Sequence, residues 1–199
     1  MIYKSLKNKT AIITGASDGI GKAIAESLAK NSVKILLISR DEKKLLNLKL
    51  HLKKKYSSKV EILAGDVKDT DLSKKIINSR KLYFKNCDIL INNAGGPPPG
   101  SFLDHSEETW NEYFNQNLLS IIRLTKLVVP QMKKNKWGRV VNITSSLAKE
   151  PTPNMVLSAT MRAGVSAFSK SISIELASKG ITVNTVCPGG VLTNRLIDL

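Results

Sequence analysis

The stretch "TAIITGASDGIGKAIAESLAKN" at residues 10–31 constrains the fold more than any other part of the chain. A short run rich in β-branched side chains, Thr10 to Thr14, leads into Gly15, Gly19 and Gly21, and then into a segment whose apolar residues recur at helical spacing. Glycines at a strand-to-helix turn allow a tight reversal and let another group approach the backbone where a Cβ would obstruct it. The helix that follows turns its free N–H groups and the positive end of its dipole toward the same place, which suits a pyrophosphate. A plain β–α turn uses glycines too, but the strand before this one and the helix after it favour dinucleotide binding.

The alternation continues along the chain. "VKILLIS" (33–39) leads into "DEKKLLNLKLHLKKKY", "KVEILAG" into "DTDLSKKIINSRKLYF", and "CDILINNAG" opens a fourth unit. Helical patterning fills 107–134, with a break predicted near Asn117. "GRVVNIT" then reads as a strand, 155–178 as a helix and "ITVNTV" as a last strand. Nearly uninterrupted apolar strands belong in a parallel sheet covered by helices on both faces. The expected fold is therefore α/β: a Rossmann-type, doubly wound parallel sheet in three layers, forming one domain over 1–199. No linker, repeat or low-complexity stretch divides it.

At 199 residues, 42% hydrophobic and 24% charged, the chain can bury a core without disulfides, and its composition is not that of a disordered segment. The formal net charge of +15 would suit an anionic partner: nucleic acid, a membrane surface or a phosphorylated cofactor. The lysines, however, are spread at helical spacing through "DEKKLLNLKLHLKKKY" and "MKKNKWGR", as on solvated helix faces, so no nucleic-acid partner is expected. Cys87 and Cys187 lie in or beside apolar runs without a C-x-x-C pattern, and the only histidines are His51 and His105. A reduced, cytoplasmic protein without a metal site is expected. No apolar window is long enough to span a bilayer and the amino terminus has no signal-peptide core, so no membrane partner is expected.

The end of the second strand bears on cofactor choice. An acidic residue there would bind the ribose hydroxyls of NAD, whereas Ser39 and Arg40 stand at that junction, and a guanidinium suits a 2′-phosphate. NADP(H) is favoured over NAD(H), although Asp41 follows immediately.

Taken in order, "TGASDGIG" (14–21), Asp66-Val67, "NNAG" (92–95), Asn117, Ser145 and "PGG" (188–190) resemble the short-chain dehydrogenase/reductase family over essentially the whole chain. Within it the chain is similar to 3-oxoacyl-carrier-protein reductases. The resemblance implies that Gly15, Ser17, Asp18, Gly19, Ile20 and Gly21 surround the pyrophosphate, and that Asp66 takes the adenine amino group with Val67 packed nearby. Asn93, Ala94 and Gly95 would run beneath the cofactor, and Val191 and Thr193 would meet the nicotinamide amide. Asp18 stands where NADP-selective relatives often carry Arg or Lys. The implied strand order is 3-2-1-4-5-6, with the family's seventh strand and substrate-closing helices outside this chain. Homodimers or homotetramers built on the two long helices are implied as well.

On the catalytic side the resemblance implies Asn117, Ser145 and the positions of a proton-donating Tyr and a Lys four residues later. Measured from Ser145 and from Ala163-Gly164, those two positions hold Ser158 and Arg162, and Arg162 would also contact the cofactor. An aliphatic hydroxyl is a far weaker acid than a phenol, and arginine does not release its proton. What remains is a pair of hydroxyls, Ser145 and Ser158, beside a fixed positive charge that can stabilise an oxyanion. His105, after the loop "GGPPPGSFLDH", and Tyr113, one turn before Asn117, are other candidate donors, with a loop histidine and a core aromatic as their ordinary readings. The leading expectation is an NADP(H)-dependent oxidoreductase acting on a carbonyl or hydroxyl of a small molecule or acyl thioester, such as a 3-oxoacyl thioester. One alternative is reduction of an enoyl or dienoyl C=C bond, because dienoyl-CoA reductases of the superfamily likewise have Ser at the Tyr position. The other is a cofactor-binding protein without chemistry.

Overall fold

The computed structural model describes residues 3–83 and 86–197. Its six strands are β1 (Thr10–Thr14), β2 (Lys34–Ser39), β3 (Val60–Ala64), β4 (Ile89–Asn92), β5 (Gly138–Ile143) and β6 (Ile181–Val186). They form one parallel sheet in the order β3-β2-β1-β4-β5-β6. The helices are α1 (Gly19–Lys30), α2 (Glu42–Tyr56), α3 (Leu72–Tyr83), α4 (Glu107–Phe114), α5 (Ser120–Asn135), α6 (Val156–Ala177) and the short α7 (Asn194–Ile197).

The apolar runs of the central strands serve two cores at once, because successive side chains point to opposite faces. Ile35 and Leu37 of β2 pack with Ala25 of α1 and with Leu45, Leu48 and Leu52 of α2. Leu36 and Ile38 pack on the other face, in a core shared with Leu72 and Ile76 of α3, Leu124 and Val128 of α5 and Leu176 of α6. β1 and β4 divide in the same way, Ile13 and Ile91 to the first core and Ile12 and Leu90 to the second.

The sheet is flanked by helices on both faces as expected, and only the edge strand β6 has an open side. Ile181 and Val183 are buried in the core that holds Leu176 of α6, while Thr182, Asn184 and Val186 of the opposite face are exposed. Among the described residues no helix covers that side, and "ITVNTV" alternates as a half-buried strand does. The break foreseen near Asn117 is a π-helical turn, Asn115–Leu119, joining α4 and α5 without a loop. The Ser120 hydroxyl donates to Gln116 O at 2.6 Å and the Arg123 guanidinium to Asn115 Oδ1 at 3.2 Å, so the widened turn is held from both sides.

A buried polar seam ties the carboxyl half of the sheet to α6. Asn92 Nδ2 donates to Asn142 Oδ1 at 2.7 Å, Asn142 Nδ2 to Ser169 Oγ at 2.8 Å, and Ser169 Oγ to Val165 O at 2.6 Å. All three side chains are inaccessible or nearly so, and removing the middle member strands the Asn92 amide in an apolar setting. Asn142→Ala is therefore expected to cost about 2 kcal/mol, read as a lower urea midpoint at an unchanged slope; an unchanged midpoint would contradict the role given to this seam.

Candidate functional site

The strand order reverses between β1 and β4, whose crossovers leave toward opposite faces, and this opens a crevice beyond their carboxyl ends. Two loops meet there. Asn93 N donates to Thr14 Oγ1 at 3.0 Å, Thr14 Oγ1 donates to Asn93 O at 3.1 Å, and Asn93 Nδ2 donates to Gly15 O at 3.0 Å. The glycines follow from this closeness. Gly15 has φ +56°, and a Cβ on it would lie 2.3 Å from Asn93 O; a Cβ on Gly21 would lie 2.2 Å from Gly15 O. Gly21 is therefore a buried spacer between α1 and the turn, while Gly15, Gly19 (φ +49°), Ser17, Asp18 and Ile20 form the walls of the crevice. Asp18 caps α1, its Oδ1 accepting from Gly19 N at 2.8 Å; that bond holds the carboxyl below the usual range.

At one end of the crevice a cavity of about 330 Å³ is lined by Ser17, Ser39, Arg40, Asp66, Val67 and Ala94, among others. Arg40 is exposed there and, among the described residues, has no carboxylate partner. Asp66 accepts from Lys68 N at 2.9 Å, which fixes its loop, and Lys68 Nζ pairs with Glu112 of α4 at 2.7 Å. That pair raises the Lys68 pKa, the Glu112 hydrogen bond being the largest cause.

Toward β5 and α6 a second cavity of about 670 Å³ joins Gly15, Gly19, Ile20, Asn93, Gly95, Arg162 and Thr193. Arg162 Nε donates to Ser158 Oγ at 3.2 Å, and its Nη1 reaches Ile143 O at 3.5 Å. The guanidinium thus spans from the end of β5 to the serine one helical turn earlier on α6. Ser158 is buried at 6% exposure and lines neither cavity, so only the arginine faces the open space. Ser145 caps a short turn, its Oγ accepting from Leu147 N at 3.3 Å. Asn117 is buried in the π turn, and its Nδ2 donates to Gly95 O at 2.8 Å, holding the β4 loop in place.

Arg162 is the one residue of this group at the wall of either cavity; Asn117, Ser145 and Ser158 line neither. Val191 is exposed outside both cavities, whereas Thr193 lines the larger and packs over Gly19. The His105 ring packs directly on Gly100, its Nε2 buried without a partner, and neither His105 nor Tyr113 borders these cavities. Sequence reasoning missed Lys44, which lines both cavities from the first turn of α2, and Asn194, whose amide reaches Asp18 Oδ2 at 2.8 Å. Lys44 carried a signal, since it follows the helix cap Asp41 and lies within one turn of Arg40. Asn194 carried none.

This is a dinucleotide-type crevice on a doubly wound sheet, with a fixed cation at its far end. Residues 9–199 match the short chain dehydrogenase family, and the chain belongs to it. It is 36% identical over 191 residues to the NADPH-dependent reductase BacG of Bacillus subtilis, covering 96% of this chain and 74% of that protein. It is 35% identical over 190 residues to the 3-oxoacyl-acyl-carrier-protein reductase FabG of Vibrio cholerae, covering 96% of this chain and 76% of FabG. Among solved structures, YwfH, an NADPH-dependent reductase involved in bacilysin biosynthesis, superposes with a TM-score of 0.92 at 35% identity, over 96% of this chain and 76% of its own. L-sorbose reductase from Gluconobacter frateurii, solved with NADPH and L-sorbose, superposes with a TM-score of 0.90 at 32% identity, over 94% of this chain and 71% of its own.

Because Gly21 meets Gly15 O across a gap with no room for a methyl group, Gly21→Ala is expected to lower stability by about 2–3 kcal/mol. Denaturant unfolding measures this, and a variant as stable as the parent would show that the turn and helix can separate freely.

Proposed function

We propose that this protein is an NADP(H)-dependent reductase of a carbonyl group, or oxidant of the corresponding hydroxyl, on a small molecule or acyl thioester such as a 3-oxoacyl thioester. The supporting observation is that Arg162 shares one cavity with the glycine turn and the Asn93–Gly95 loop. The residues present fit a dinucleotide: Gly15, Gly19 and Ile20 line the crevice, and the α1 N-terminus opens onto it. In this reading Gly15, Ser17, Gly19 and Ile20 hold the pyrophosphate, Arg40 a 2′-phosphate, Asp66 and Val67 the adenine, and Ala94, Gly95 and Thr193 the nicotinamide half. Asp18 and Gly21 shape the turn, and Val191 belongs to the segment leading to Thr193. The whole of 1–199 serves as one NAD(P)-binding domain.

When bound, the reduced cofactor supplies a hydride. The chain must then stabilise negative charge on the substrate oxygen. In this proposal Ser158 and Arg162 stand in place of the family's Tyr and Lys, and the guanidinium provides the stabilisation directly as a fixed cation. Its Nε donates to the Ser158 hydroxyl oxygen, so the serine positions the guanidinium from the buried side. Ser145 adds a second hydroxyl, and Asn117 sets the height of the cavity floor through Gly95 O. None of these groups is a good acid near neutral pH, so the proton comes from water and turnover is slow.

The double substitution Ser158→Tyr with Arg162→Lys tests this reading. It is expected to raise reduction of acetoacetyl thioester by roughly 10²-fold or more, the usual worth of a positioned general acid, followed as NADPH oxidation. Unchanged activity with NADPH still bound would mean that the hydroxyl and guanidinium are not substitutes for an acid and its partner. Activity of the parent on a dienoyl thioester but not on acetoacetyl thioester would move the reading to C=C reduction.

The proposal extends to a homo-oligomer. Ile122, Val129 and Pro130 of α5 and Phe168 and Ile172 of α6 line an outward groove of about 370 Å³, suited to a second copy of the chain. Phe168→Glu is expected to shift the protein to monomer in light scattering; an unchanged mass would place the interface elsewhere.

A further inference from the structure

Asp18 presents a difficulty for any anionic ligand at the α1 N-terminus, because its carboxylate occupies the end of the helix that would otherwise attract a phosphate. The carboxyl is held below its usual range, so its charge persists throughout the neutral region. Lys44 answers that charge, its Nζ lying 3.4 Å from Asp18 Oδ2. The pair is loose. Both side chains are about half exposed, at 53% and 47%, and the same carboxylate oxygen already accepts from Asn194 Nδ2 at 2.8 Å.

The position of Lys44 is unusual in this molecule. It lines the cavity that contains Ser39 and Arg40, the cavity that contains Arg162, and a third of about 400 Å³ between α1 and α2. Its backbone is fixed, because Lys44 N donates to the α2 cap Asp41 at 2.9 Å, while its side chain is tethered only at the tip. Exposed ion pairs of this kind are worth little, so an incoming phosphate can take the ammonium from Asp18 at small cost. Within the 330 Å³ cavity, Arg40 and Lys44 face the same space, with the Ser17 and Ser39 residues beside them.

We propose that Lys44 is a second cation for the 2′-phosphate of NADP(H), held by Asp18 when the ligand is away, so that selectivity over NAD(H) rests on Arg40 and Lys44 together. This rests on the reading of the crevice as an NADP(H) site. A carboxylate in the glycine turn then need not oppose NADP(H), because the lysine that neutralises it is also placed to meet the phosphate.

The test is fluorescence titration of the full chain with NADPH and NADH for the parent, Lys44→Ala, Asp18→Asn and the double variant, with circular dichroism to confirm folding. Lys44→Ala is expected to lower the ratio of NADPH to NADH affinity by about tenfold, the size of one charge-assisted contact, and to do so again in the Asp18→Asn background. Asp18→Asn alone is expected to raise NADPH affinity severalfold by releasing Lys44. If Lys44→Ala weakens both cofactors equally and the effect disappears with Asp18→Asn, the lysine only neutralises Asp18 and the proposal is overturned. An unchanged ratio overturns it as well. A parent that binds neither cofactor at millimolar concentration removes the NADP(H) reading itself, a result distinct from either of these.

Discussion

The structure depends on one close contact, the interlock of Asn93 with Thr14 and Gly15 at the point where the strand order reverses. Adjacent parallel strands whose crossovers run to opposite faces tend to leave their carboxyl ends splayed and their loops unsupported. Here the β4 loop donates an amide to the β1 turn, and the turn's threonine hydroxyl bonds the Asn93 backbone in both directions. Gly15 and Gly21 are the consequence, since side chains at either position would push the two loops and α1 apart. The crevice exists because this stack is closed beneath it.

That contact also explains which parts of the site were legible in the sequence. The glycine turn, Asp66 and the Asn93–Gly95 loop lie at strand ends, where a β–α alternation fixes position from spacing alone, and they border the cavities together. Burial on both faces was readable in β1, β2 and β4 for the same reason. The open face of β6 was written only in the alternation of "ITVNTV", where Thr182 and Asn184 flank the apolar Val183, a weak signal beside the continuous apolar runs of β1, β2 and β4. The contacts that Lys44 and Asn194 make with Asp18 were not legible, for another reason. Both reach Asp18 from elements distant in the chain, and such pairings are set by how helices pack rather than by local pattern.

The Arg162 end of the crevice follows a different logic. Asn117 is a structural anchor, since its amide bonds the Gly95 carbonyl from within a π turn. Asn117 sits in that widened turn with its side chain on the β4 loop. Ser158 is similarly committed, buried under the guanidinium of Arg162. The chemistry available at the cavity wall is therefore that of a cation with a hydroxyl behind it, well suited to hold negative charge and poorly suited to supply a proton.

The two ends of the crevice share this electrostatic plan. At one end Arg162 leans on Ser158, and at the other Lys44 leans on Asp18, each cation positioned by a partner of the chain while still bordering open space. The partners differ in what they allow. Arg162 is gripped through Nε by a buried neutral hydroxyl, which orients the guanidinium. Lys44 is gripped at its tip by a half-exposed carboxylate, which neutralises it until a stronger anion arrives. Because the Gly19 N–H keeps the Asp18 pKa below the usual range, this contribution to stability is present above the ordinary carboxylate value and is lost only as pH falls through the lowered one. Near neutrality the carboxylate is therefore a constant, and competition for Lys44 is governed by the ligand's charge rather than by protonation of the protein.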